Sequence, residues 1–101
     1  MNTLDVTFVR IYLTEGEGRM EGLLKRLHDE EKVQGVTVFR GISGFGSSGR
    51  LHSSSLLDMS LDLPLVVEFF DVPQKVEQIL EHIRRDIDPG HIVSWQGRLV
   101  V

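Results

Sequence analysis

A stretch dense in glycine and serine, Gly41 to Ser60, splits the sequence into two halves, and each half reads strand, helix, strand. That arrangement limits the folds open to the chain more than any single motif. Asp5 to Leu13 is rich in Val, Ile, Phe and Tyr, the composition of a strand. Thr14 and Glu17 stand at capping-box spacing, and Met20, Leu23, Leu24 and Leu27 follow at helical intervals. Gly35 breaks that helix, and Val36 to Ile42 is a second β-branched run. Leu63 to Phe70 resumes a strand, with Pro64 at its start, where a missing N–H does least harm. Asp71 and Pro73 open a second helix with the stripe Val76, Ile79, Leu80, Ile83 and Ile87, ended by Asp88-Pro89-Gly90. Ile92 to Trp95 is a fourth strand, and Arg98 to Val101 reads as a short fifth beyond a turn at Gln96-Gly97.

The order predicts an α+β, ferredoxin-like βαββαβ fold. Two helices cannot cover both faces of a four-stranded sheet, so both are expected on one face of an antiparallel sheet. In the usual ferredoxin-like order, strand three lies between strands one and two. The segment 41–62 reads as one long loop between strands two and three, and such loops in compact domains are usually functional or disordered. The other face of the sheet also needs a cover, because Val, Phe and Leu occupy both parities of the strands. Self-association is the simplest cover. Arg10, Arg40 and Glu68 each interrupt an apolar strand. Either Glu68 lies between two arginines that compensate it, or all three face solvent at strand ends.

Composition narrows the functions. A chain of 101 residues has room for one domain, 1–101, and oligomerisation is a plausible further source of its stability. Its formal net charge of −4, with no run of Lys or Arg, argues against a general nucleic-acid binder. The absence of cysteine excludes disulfides, Cys-zinc sites and thiol nucleophiles. Met1 to Phe8 lacks a basic region followed by an apolar stretch, and no apolar run approaches a membrane span. A cytoplasmic location is the expectation.

From Gly35 the sequence runs Gly-Val-Thr-Val-Phe-Arg-Gly-Ile-Ser-Gly-Phe-Gly-Ser-Ser-Gly-Arg-Leu-His. This resembles PII signalling proteins, in which a Gly-x-Thr-Val strand leads to Gly-Phe-Gly at the base of the long T-loop. It is more similar still to a family of uncharacterised PII-like bacterial proteins, marked by Arg-Gly, then Gly-Phe-Gly, then a nearby His. Arg40, Gly41, Gly44, Phe45, Gly46 and His52 match that pattern, as do Asp62-Leu63-Pro64 and Glu68 beyond. The resemblance implies a homotrimeric regulatory protein, not an enzyme, with small-ligand clefts between subunits. It implies an adenine nucleotide as a candidate ligand, and a partner protein, with a membrane transporter or channel as a candidate. Ligand-binding residues carried over by motif are Thr37, Gly44, Phe45, Gly46, Gly90 and His91, with Ser47 and Ser48 following the Gly-Phe-Gly.

The chemistry is consistent with that assignment. Glycines let backbone N–H groups approach an anion closely, and consecutive amides form an anion-binding concavity. Phe45 either pins the loop base or stacks on a nucleobase. The departures point to a changed ligand. Ser47 and Ser48 stand where PII has Arg and Gln, His91 stands where it has Lys, and Arg98 only loosely matches its arginine-rich tail. A less charged adenine nucleotide, or another anion, is as well suited as ATP.

Two other classes compete. A trimeric divalent-metal-tolerance protein of the CutA type shares the fold, and a ligand-free structural oligomer needs no site at all. His52 reads either as a ligand or metal contact or as a solvated loop residue; His28 and His82 fall on polar helix positions. No metal-ligand spacing is present. His52 beside Ser53 to Ser55 has no orienting acid, so no catalytic residue is assigned.

Overall fold

The computed structural model describes residues 1–46, 49, 52–53 and 62–101. In chain order the strands are β1 (Thr3–Thr14), β2 (Gly35–Arg40), β3 (Ser43–Gly44), β4 (His52–Ser53), β5 (Pro64–Asp71) and β6 (Ile92–Val100). The helices are α1 (Met20–Lys25) and α2 (Pro73–Ile83). β2, β5, β1 and β6 form one antiparallel sheet in that spatial order, so β5 lies between the first two long strands, as the sequence predicts.

Strand alternation gives the sheet its two faces. Val9, Ile11 and Leu13 on β1 and Leu65, Val67 and Phe69 on β5 join one buried cluster. Leu23 and Leu27 from the first helical segment join it, with Val76, Ile79 and Ile83 from α2 and Ile87 beyond. Both helices therefore pack on the same face. Phe8, Arg10, Val66, Glu68 and Phe70 take the other parity, opposite Thr37, Phe39, Val93 and Trp95 on the neighbouring strands.

The first helix starts and stops differently from its sequence pattern. Thr14 makes no side-chain cap; Glu15–Glu17 form a short 3₁₀ turn, closed by Gly18 at φ 68°. α1 begins at Met20 and widens into a π turn over Arg26–Glu30, where the Glu31 N–H reaches the Arg26 carbonyl at 3.0 Å. Lys32, at φ 54°, ends it three residues before Gly35. α2 has Pro73 in its first turn after an extended Val72. Buried Asp71 accepts the Val72 N–H at 2.8 Å and pairs with Lys75 at 3.0 Å, which offsets part of the penalty for burying a carboxylate.

Three further expectations change. The segment after β2 is not one uninterrupted loop, because Ser43 pairs with Ser53 and Gly44 with His52. Gln96-Gly97 is not a turn, since β6 runs unbroken past it with Gly97 opposite Val6. A Cβ at Gly97 would lie 2.7 Å from Cε2 of Phe8, so the glycine makes room for a ring. Arg10 Nε meets Glu68 Oε1 at 2.7 Å, whereas Arg40 binds Glu15 instead. Glu68 is thus compensated by one arginine.

Candidate functional site

The residues singled out by motif fall in two groups. Thr37 lies on β2, exposed and opposite Glu68. Beyond the strand, Gly44 sits in β3 and Phe45 is 72% exposed, so the ring is not pinned within this chain. The Gly46 carbonyl accepts the N–H of Gly49 at 2.9 Å, and Gly49 takes φ 74°. A Cβ on Gly44 would press on the Pro64 ring at 3.3 Å, but one on Gly46 would meet nothing within 4 Å. Gly46 does not have a positive φ either. Nothing within the described residues demands glycine there. Ser47 and Ser48 lie outside the described residues.

The second group follows α2. Gly90 adopts φ 84° after Asp88-Pro89, and the His91 N–H returns to the Asp88 carbonyl at 3.2 Å. The His91 carbonyl then accepts the Tyr12 N–H at 2.9 Å, and His91 Nδ1 lies 3.0 Å from the Tyr12 carbonyl. A carbonyl can only accept, so Nδ1 carries the proton and Nε2 is left to a ligand. A hollow of about 410 Å³ adjoins this turn, bordered by Arg84, Arg85, Asp88 and Gly90. Arg84 reaches Glu81 at 3.6 Å, and Arg85 makes no ion pair among the described residues. Sequence reasoning had not placed these two arginines at the site. A larger hollow of about 500 Å³ between Thr3–Asp5 and Val72–Gln74 lies at the opposite end of the sheet and holds none of the motif residues.

The two groups share one end of the sheet and sit at opposite edges. β2 finishes at that end and β6 begins there, with β5 and β1 between them. Three strand spacings put the edges about 14 Å apart. A single chain does not close them around one ligand.

The fold defined by this sheet and its two helices is PII-like. CPII of Thiomonas intermedia K12, in a structure bound to ADP, AMP and bicarbonate, superposes with a TM-score of 0.74 at 17% identity, covering 99% of this chain and 100% of that one. A PII-like signalling protein of Thermus thermophilus superposes at 0.67 with 14% identity, covering 100% and 93%. The chain itself belongs to the DUF190 family, described as "Uncharacterized ACR", which matches residues 6–99. A UPF0166 protein of Aquifex aeolicus is 33% identical over 90 residues, 83% of this chain and 84% of the relative. Another, from Methanocaldococcus jannaschii, is 31% identical over 77 residues, 71% and 69% of the two chains.

Among the described residues no helix is long and apolar enough to cross a membrane, and no three His, Cys, Asp or Glu side chains cluster as a metal site.

Proposed function

We propose that this single-domain chain is a cytoplasmic PII-like regulatory protein rather than an enzyme, binding an adenine nucleotide in clefts between copies of itself. The observation that carries the reading is the division of the motif residues between two edges at one end of the sheet. Gly44, Phe45 and Gly46 of one copy then face Gly90 and His91 of its neighbour, and a homotrimer closes three such clefts. The bare approach to Gly46 supports the same reading, because a phosphate oxygen occupies space that a side chain would take. Ser47 and Ser48, next in sequence, supply hydroxyl donors, and Thr37 lines the strand below. Arg84 and Arg85 return positive charge to the second edge, where His91 stands in place of a lysine. ADP and AMP, which bind the structurally similar CPII, suit this charge better than ATP. Occupancy of the cleft is read out through segment 41–62 by a partner protein, with a membrane transporter or channel as the candidate.

Calorimetry with ADP, AMP and ATP, together with sedimentation, tests the proposal. The expected mass is about three times the 11.4 kDa of one chain. Gly46→Val should abolish ADP binding while that mass is kept. A clean monomer at micromolar concentration, or Gly46→Val binding ADP as the native chain does, overturns the inter-subunit site. A melting temperature raised by divalent metal and by no nucleotide would favour the metal-tolerance class instead.

A further inference from the structure

Segment 41–62 leaves the sheet after Arg40 and rejoins it through Leu63, and its two ends are tied to one another and to the turn after β1. Glu15 stands at the centre of this joint. Its N–H donates to the Leu63 carbonyl at 2.8 Å. Its carboxylate accepts Arg40 Nη2 at 2.8 and 2.9 Å and Arg40 Nε at 3.3 Å, with the Leu63 N–H at 3.4 Å. Next to it, the Gly16 N–H donates to Asp62 Oδ1 at 3.0 Å. The two ends also touch directly, since the Gly41 N–H donates to the Pro64 carbonyl at 2.7 Å. The Pro64 ring fills the space that a Cβ on Gly41 would need, with its Cγ 2.8 Å away. Arg40-Gly41 and Asp62-Leu63-Pro64, far apart in sequence and unexplained by any ligand contact, therefore meet at one place.

We propose that Glu15, Gly16, Arg40 and Asp62 form a clasp that holds the two ends of segment 41–62 together and sets the direction in which Gly44, Phe45 and Gly46 leave the sheet. They are positioning residues; as a statement about ligand affinity, the clasp rests on the proposed function. A fork of Arg40 donors on one carboxylate fixes orientation as well as distance. Without it the ends would sample many relative positions, and ligand binding would have to order them. Glu15 and Arg40 side chains are 29% and 45% exposed, so solvent screens the pair and its effect is local.

The two halves of the clasp can be opened separately. Glu15→Gln removes the charge on the Arg40 side and keeps the size. Gly16→Ala acts on the Asp62 side, because its Cβ would lie 2.5 Å from Asp62 Oδ1 and displace that flexible carboxylate. Gly16 does not occupy the left-handed region, so alanine introduces no backbone strain.

Hydrogen exchange on the ligand-free protein reads both. Glu15→Gln should speed exchange at Gly41 and Leu63 by about three- to tenfold, and Gly16→Ala should do so at Leu63. Val9, Ile11 and Val67 should exchange as before in both variants. Joining Glu15→Arg with Arg40→Glu should return both ends to near the native rate. ADP affinity should fall in Glu15→Gln and recover in the exchanged pair. Unchanged exchange in both single variants overturns the clasp, and so does a rise shared equally by Val9, Ile11 and Val67. If the native chain fails to bind ADP, the nucleotide reading falls, and the exchange rates of the free protein alone decide the clasp.

Discussion

Along β5, Leu65, Val67 and Phe69 point into the helices, while Val66, Glu68 and Phe70 point the other way, and the two sets differ in chemistry as well as direction. The helix side is aliphatic apart from Phe69, dry, and gathered into one cluster. The helix-free side is aromatic and carries an ion pair. Phe8 stacks on Trp95 with centroids 5.5 Å apart, and the Arg10 guanidinium lies 5.5 Å from the Trp95 ring and 5.9 Å from that of Phe39. Hydrogen bonding to Glu68, and then to Tyr12, raises the Arg10 pKa above its ordinary value, so the charge is permanent. Trp95 and Phe39 are still 39% and 47% exposed. A core sealed within one chain has no use for an ion pair, and a surface that always meets water gains little from clustered rings. This combination suits a face that a second copy covers.

The comparison can be broken most easily at its driest point. Phe69→Ala empties a site against both helices and should cost about 3–5 kcal/mol in urea unfolding. A loss below about 1 kcal/mol would mean that the helix side is not the main source of stability. Gly97→Ala tests whether the other face is packed at all. Its Cβ meets the Phe8 ring, so about 1–3 kcal/mol should be lost, and Phe8→Leu in the same chain should restore part of it. No loss would show that the stacked rings move freely. Phe39→Ser sharpens the contrast with Phe69. It should change the stability of the dilute chain by only about 0.5 kcal/mol, yet shift sedimentation toward the single-chain mass. A cost equal to that of Phe69→Ala would erase the distinction between the faces.

Much of this was legible in the residues themselves. Period-2 and helical spacings locate the four long strands and both helices, and the loop between two strand–helix–strand halves leads to the observed sheet order. The misses have a common cause. Gln96-Gly97 has the composition of a turn, but its glycine answers to the ring of Phe8, on a strand from the other end of the chain. Lys32 takes a backbone conformation more typical of glycine, so the apparent helix stop moved to Gly35. At the site, Gly44, Gly46 and Gly90 were recognisable by motif. Glu15 and Gly16 were not, because their partners lie 25 and 46 residues away. Arg84 and Arg85 become site residues only once the end of α2 is set beside Gly90.

Thr3 pairs with Val100, and the Val101 N–H reaches the Asn2 carbonyl at 2.9 Å, so the first strand of the chain waits for the last. During synthesis on the ribosome, β1 can acquire β5 as a neighbour while its other edge remains bare. Until β6 emerges, that edge offers unpaired N–H and C=O groups between apolar residues, a template for the same strand of another nascent chain. The pairing that completes the sheet is also among its most distant in sequence, which slows folding. Production of this protein in quantity is therefore most vulnerable in the interval between making β5 and making β6.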